Sequence, residues 1–109
     1  MLELWQTEWC PASQRIRQRL TELEIDYLTR QVPVDKDQRE ALRRTTGSDI
    51  IPALALDDRP IAIGEDAIRR YLDGRLAEPP DAEAHRLKAA KARRRYLEEE
   101  CECLQPATH

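Results

Sequence analysis

Cys10 stands directly before Pro11 and three residues before Ser13 in the stretch Trp9-Cys10-Pro11-Ala12-Ser13, just after the first apolar run of the chain. Pro11 suits the first turn of a helix, because its missing N–H is one of the donors a helix start leaves without a partner anyway. A thiol at that junction faces free backbone N–H groups and the positive end of the helix dipole, which favour the thiolate. Such placement lowers a cysteine pKa by ~1 to several units and produces a nucleophile populated near neutral pH. Ser13 is placed to turn its hydroxyl toward the sulfur as a donor, whereas Glu8 opposes the negative charge. The other reading of Cys10 is a buried filler thiol, since free cysteine is among the most buried residue types. The context of the cysteine decides between the two.

The surrounding pattern puts Cys10 between a strand and a helix. Leu2 and Leu4 alternate as a strand would, and Ile16, Leu20 and Leu23 then recur at helical spacing. A second strand is predicted over Ile25–Thr29. Pro33 and Asp35 interrupt and cap, and a polar helix with Ala41 and Leu42 inward runs to the turn Thr46-Gly47-Ser48-Asp49. After Pro52 come a strand at Ala53–Leu56, a turn over Asp57–Pro60 and a strand at Ile61–Ile63, together a hairpin. Glu65 and Asp66 open a helix through Ile68 and Leu72 that stops at Gly74. The predicted order is βαβαββα, an α/β fold with a parallel crossover pair, a hairpin and helices on both faces of a four-stranded mixed sheet.

Composition narrows the function classes. The chain has 109 residues, enough for one core. Charged residues make up 36% and hydrophobic residues 40%, and Phe is absent, so the core is aliphatic with two Trp and three Tyr. The net charge of −3 gives no global attraction to nucleic acid or to anionic membranes. No apolar window of about 18 residues exists and no signal-like segment opens the chain, so the expectation is a cytoplasmic protein with neither a nucleic-acid nor a membrane partner. Three cysteines, Cys10, Cys101 and Cys103, do not read as a disulfide framework.

Four signals in this order are similar to the glutaredoxin family, and also to the thioredoxin-fold N-terminal domain of glutathione S-transferases. They are Cys-Pro-Ala-Ser at 10–13; Arg39-Glu40-Ala41-Leu42 followed by Thr46-Gly47; Ile51-Pro52; and Gly64-Glu65-Asp66-Ala67-Ile68 with Tyr71-Leu72. The resemblance covers residues 1–76. It implies a thioredoxin-like fold and a glutathione site in which Cys10 is the catalytic thiol supported by Ser13. Trp9 and Pro11 flank the ligand, and Ile51, before a cis Pro52, pairs its backbone with the tripeptide. Arg39 reaches the glycine carboxylate, and Gly64, Glu65 and Asp66 hold the γ-glutamyl end. An acidic side chain suits an ammonium and helix-start N–H groups suit a carboxylate.

The departures from the family shape the expected chemistry. Thr7, Glu8 and Trp9 stand where many glutaredoxins carry a lysine, Ala12 replaces an aromatic residue, and Ser13 replaces a second cysteine. The resemblance therefore implies a monothiol thiol–disulfide oxidoreductase with glutathione as cosubstrate and glutathionylated proteins as partners, working through a Cys10 mixed disulfide. An iron–sulfur role is weakened because the motif is not Cys-Gly-Phe-Ser. The arsenate-reductase-like proteins fit the later motifs less well. The alternatives are a non-catalytic thioredoxin-fold adaptor module and a glutathione-transferase-like protein, although the sequence after Leu76 is short for the helical domain of that family.

One domain is expected, a thioredoxin-fold domain at 1–78, followed by a helical extension at 79–109. Pro79-Pro80 ends the first, and Asp81 opens a helix to about Leu104 whose Leu87, Ala90, Arg94, Leu97, Cys101 and Leu104 form one stripe. Either its own domain or a second copy, in a homodimer through this helix, covers that stripe. Cys101, Cys103 and His109 read as frayed-terminus residues, and no metal is expected. His85 reads as a surface residue.

Overall fold

The computed structural model describes residues 1–95 of the chain. It divides into two compact units, Met1–Ala77 and a second beginning at Glu78. The first unit carries β1 (Leu2–Gln6), α1 (Pro11–Glu22), β2 (Tyr27–Gln31), a short 3-10 turn (Lys36–Gln38), α2 (Glu40–Thr46), β3 (Ala53–Leu56), β4 (Arg59–Ile63) and α3 (Glu65–Arg75). This is the βαβαββα order of the sequence pattern. The strands lie in the order β2-β1-β3-β4, with β1 and β2 parallel and the other two pairings antiparallel.

Alternation along the strands sends side chains to two separate apolar layers. On one face Leu4 and Leu54 pack with Ile16, Leu20 and Leu23 of and just beyond α1, and with Ile68 and Leu72 of α3. On the other, Trp5, Ala53 and Ala55 meet Val32 and Leu42. Leu4, Ile16, Leu20, Leu54, Ile68 and Leu72 are fully buried. Each is worth about 1.5–3 kcal/mol of transfer free energy. Small residues on β3 let the short α2 approach the sheet.

Four local expectations shift, the first being that β4 begins at Arg59 rather than Ile61, so that the hairpin turn is Asp57-Asp58 alone. The second strand lies at Tyr27–Gln31, two residues later than its apolar start suggests, because it is an edge strand whose last four residues are exposed. Ala41 is exposed and only Leu42 of that pair turns inward. α3 runs through Gly74 to Arg75, because Gly74 takes a helical conformation and nothing crowds it. The β3–β4 connection is a two-residue turn in which Asp57 (φ 50°) and Asp58 (φ 64°) are both left-handed. That is the type I′ geometry, which matches strand twist. Pro60 sits on β4, an edge strand, beside a register shift at Leu54/Ala55, where its missing N–H does little harm.

In the second unit, α4 spans Ala82–Arg94 with Asp81 at its N-cap, though the Asp81 side chain makes no capping hydrogen bond. Arg86 pairs with Glu78 at 2.9 Å. Of the predicted stripe, Leu97, Cys101 and Leu104 lie outside the described residues, as do Cys103 and His109. Among the described residues no group of three His, Cys, Asp or Glu gathers as metal ligands, and no helix is long and apolar enough to cross a membrane.

Candidate active site

The strand directions bring the motif residues to one end of the sheet. β1 and β2 run toward that end and deliver residues 7–10 and 32–34 there. β3 runs away from it, so the residues just before Ala53 lie there too, and β4 returns to deliver Gly64. Cys10, Ile51-Pro52 and the start of α3 thus share one edge despite their separation in sequence.

Cys10 is the N-cap of α1, with extended backbone (φ −73°, ψ 119°) and Pro11 opening the helix. The Ser13 backbone N–H donates to Cys10 Sγ at 3.4 Å. The sulfur thus takes the place a Ser or Asp oxygen fills at an ordinary N-cap. Burial pushes the thiol up. Donation from the Ser13 hydroxyl, from the Ser13 and Ala12 backbone N–H groups and the nearby Arg15 charge outweigh it, and Cys10 lies below its ordinary pKa. The Ser13 side chain is fully buried and its hydroxyl makes no hydrogen bond of regular geometry, so the neighbouring Cys10 sulfur is the acceptor it can turn to. A hydroxyl in that position is satisfied by a thiolate acceptor. Cys10 is partly accessible and free of any disulfide.

Arg17 fixes the loop that carries the thiol. Its guanidinium donates to the Thr7 carbonyl at 3.3 Å, to the Glu8 carbonyl at 3.3 Å and to the Gln6 side chain. Glu8 faces solvent and Trp9 is 68% exposed. Trp9 therefore presents an uncovered ring beside the thiol.

The Ile51-Pro52 peptide bond is cis. Pro52 is buried and Ile51 half-buried, and among the described residues the Ile51 N–H and carbonyl are bonded to no other group. The Pro52 carbonyl accepts from the Gly64 N–H at 2.8 Å, which joins this turn to the start of α3. Gly64 has φ 90° and ψ 157° as the N-cap of α3. A Cβ there would touch nothing within 4 Å, so the glycine answers to backbone conformation rather than to space.

Glu65 and Asp66 occupy the first turn of α3, with Asp66 exposed. Glu65 is engaged within the chain: Arg15 Nε donates to one carboxylate oxygen at 2.6 Å and Arg15 Nη2 to the other at 2.9 Å, with Arg69 a further 3.6 Å contact. The Arg15 hydrogen bonds hold the Glu65 carboxyl below its usual range, against the opposing effect of burial.

Arg39 has a different setting from the one the resemblance implies. It is 7% exposed, and its guanidinium donates to the carbonyls of Pro33 (2.8 Å), Val34 (3.0 Å) and Asp49 (2.9 Å). Here it ties the segment after β2 to the segment before Ile51. Arg15 and Arg17 are site residues that the sequence motifs do not single out. Both project from α1, at i+5 and i+7 from Cys10; Arg15 lends its charge to the thiol and Arg17 holds residues 6–8, and neither stands at the i+3 or i+4 spacing that would mark it in the sequence.

The family comparison agrees with this geometry. The glutaredoxin family model matches residues 2–61. No curated protein matches the chain. Among solved structures, the buckwheat glutaredoxin–glutathione complex is 23% identical with a TM-score of 0.50, the match covering 69% of this chain and 71% of that one. A glutathione S-transferase from Rhodospirillum rubrum is 24% identical (TM-score 0.59), covering 88% of this chain and 46% of that one. A glutathione S-transferase domain-containing protein from Marinobacter aquaeolei is 25% identical (TM-score 0.57), with 87% and 50% covered. The chain thus spans about half the length of these transferases. Its fold is thioredoxin-like, a four-stranded mixed sheet flanked by helices, and from residue 2 to residue 61, a span that includes the Cys-Pro-Ala-Ser motif and the cis-proline turn, the chain belongs to the glutaredoxin family.

Proposed function

We propose that this protein is a glutathione-binding monothiol thiol–disulfide oxidoreductase with Cys10 as nucleophile. One observation carries the reading: the Cys10 sulfur sits at a helix N-cap, accepts the Ser13 N–H, and lies below its ordinary pKa. In the first step the Cys10 thiolate attacks the glutathione sulfur of a protein–glutathione disulfide. A Cys10–glutathione disulfide forms and the protein thiolate leaves, taking a proton from solvent. In the second step the thiolate of another glutathione attacks the glutathione sulfur of that mixed disulfide, and Cys10 leaves as thiolate with the release of oxidised glutathione. The unbonded backbone of Ile51 suits the central peptide of the ligand, the start of α3 suits the γ-glutamyl end, and Trp9 and Pro11 border the sulfur. Arg39 serves by holding the loops in register.

Exposure to oxidised glutathione tests this directly. Peptide mapping by mass spectrometry is expected to find one glutathione on Cys10, and turnover with a glutathionylated peptide is expected to vanish in Cys10→Ser. An unmodified Cys10 overturns the reading. An adaptor reading has one supporting observation: Trp9 (68%), Val34 (59%) and Ile50 (51%) expose large apolar side chains at the Cys10 end of the sheet. Apolar side chains gathered on a surface mark a site of protein association. In that case a partner protein binds Cys10→Ser as well as the native chain, and no turnover is seen.

A further inference from the structure

β2 lies at one edge of the sheet, and Leu28, Thr29, Arg30 and Gln31 on it are exposed. The Val32 N–H bonds the Gln6 carbonyl of β1. Backbone direction alternates along a strand, so Leu28 and Arg30 also turn their N–H and carbonyl groups to β1, while Tyr27, Thr29 and Gln31 turn theirs outward. Among the described residues no group bonds that outer row. An open row of this kind is a template for a further strand. We propose that β2 pairs antiparallel with β2 of a second copy of this chain, about a two-fold axis at Leu28, joining two four-stranded sheets into one.

Charge complementarity selects the second copy as the occupant and Leu28 as the axis. On the face shared with Trp5, Leu28 meets Leu28 of the second copy, and Asp26 and Arg30 of each chain stand opposite Arg30 and Asp26 of the other. Opposite charges directly across an antiparallel pair stabilise it, and like charges destabilise it. On the other face each Tyr27 meets a Thr29 and exchanges both outward backbone hydrogen bonds with it. An axis at Thr29 sets Leu28 against Arg30, and an axis at Arg30 sets two guanidinium groups against each other. Leu28 is 51% exposed, and Asp26 is exposed with no ion pair among the described residues. Arg30 is already held: its Nε donates to the buried Glu3 carboxylate and its guanidinium lies 5.5 Å over the Trp5 ring, while its Nη groups make no hydrogen bond among the described residues. A side chain so fixed loses little further freedom on association. Because β1 and β2 run toward Cys10, the antiparallel copy points its own Cys10 end the opposite way, and both thiols stay clear of the contact. The contact is short, so the dimer is a weak one that forms at high concentration. Nothing in this pairing depends on what the thiol binds.

Disulfide trapping reads the register. In the full chain carrying Cys10→Ser, Cys101→Ser and Cys103→Ser, Leu28→Cys sets two thiols opposite each other at a non-hydrogen-bonded pair, with about 4.5 Å between Cα atoms, a separation a disulfide spans. Oxidation by copper–phenanthroline is expected to cross-link this variant about tenfold or more faster than Thr29→Cys in the same background, whose thiol is also exposed but faces Tyr27. Sedimentation of the native chain over a concentration series is expected to show a monomer–dimer equilibrium. Thr29→Pro removes an outward N–H and leaves the bonds to β1 in place, and is expected to weaken the dimer about tenfold or more. Asp26→Lys, which sets like charges across the pair, is expected to weaken it as well. A thermal melt and an unchanged rate of Cys10 alkylation confirm that both variants are folded. Equal cross-linking of the two cysteine variants refutes this interface, as does a native chain that stays monomeric at millimolar concentration. A native dimer that Thr29→Pro leaves intact refutes it too, and puts the contact on another surface.

Discussion

Arg39 Nη1 donates to the Asp49 carbonyl at 2.9 Å, and the same guanidinium holds Pro33 and Val34. One nearly buried cation therefore closes the two loops that border the Ile51-Pro52 turn. Hydrogen bonds to a charged donor are worth about 1.5–3 kcal/mol each and are not additive in a shared network. Arg39→Ala is expected to lower the unfolding free energy by about 3 kcal/mol, and Arg39→Lys, which keeps a charge but not the fork, to recover less than half of that. Urea unfolding measures the loss. Should Arg39 instead be chiefly a ligand contact, Arg39→Ala would leave stability unchanged and weaken the binding of glutathione but not of an analogue lacking the glycine.

Arg39 also marks the limit of what sequence alone discloses. The strands and the helices follow from short-range rules: alternation at Leu2 and Leu4, helical spacing at Ile16, Leu20 and Leu23, Pro11 as a helix start; the grouping of Cys10, Pro52 and Gly64 is implied only by the family resemblance. Each rule compares residues within a turn or two of one another. The partners of Arg39 are carbonyls, which every residue carries, so no residue type points to them. Arg15 and Glu65 meet across fifty positions, and surface arginines and glutamates are too common for such a pair to show as a pattern. β2 begins two residues beyond its expected start for a related reason: an exposed edge strand loses the burial contrast that a period-two reading depends on.

The turn joining β3 and β4 offers a stability test independent of the site. Asp57 and Asp58 both have positive φ. L-residues are disfavoured in that region, and Asp tolerates it better than most. Glycine at the second position is the usual solution in a type I′ turn. Asp58→Gly is expected to stabilise the fold by about 0.5 kcal/mol, the relief of the left-handed conformation being partly offset by the freer unfolded chain. A raised melting temperature with unchanged Cys10 reactivity is the expected result. A lowered one would show that the Asp58 side chain contributes more than its backbone costs.

Cys10 links the site to pH. Its pKa in the folded chain is lowered, so the thiolate contributes stability that is fully present above the unfolded thiol pKa and is lost as pH falls through the folded value. Cys10→Ala should therefore lose stability relative to the native chain on the alkaline side of that window and converge with it on the acid side. Alkylation of Cys10, followed by peptide mapping so that Cys101 and Cys103 do not contribute, should show a midpoint below that of an unfolded cysteine. Ser13→Ala is expected to raise the midpoint, because one donor to the thiolate is lost while the backbone N–H and Arg15 remain. A midpoint in the native chain equal to that of the denatured protein would remove the basis for Cys10 as nucleophile.

Ser13 also sets which disulfide exchange the site performs. Its backbone N–H already lies 3.4 Å from the Cys10 sulfur, so the residue is one helical turn from the thiol. This is the Cys-x-x-Cys spacing at which two thiols close a disulfide. Ser13→Cys is expected to convert the site from monothiol to dithiol exchange. The new thiol, buried as Ser13 is, should attack the Cys10–glutathione disulfide from within, so that less glutathione is trapped and protein disulfides become substrates. The measurements are the yield of the Cys10 adduct under oxidised glutathione and the reduction of a disulfide-bonded protein such as insulin. Cys10→Ser in the Ser13→Cys background should be inactive in both, because the remaining thiol is sealed from solvent and lacks the helix N-cap position. If that double variant reduced protein disulfides, residue 13 would be accessible to substrate and the assignment of Cys10 as the attacking sulfur would fail.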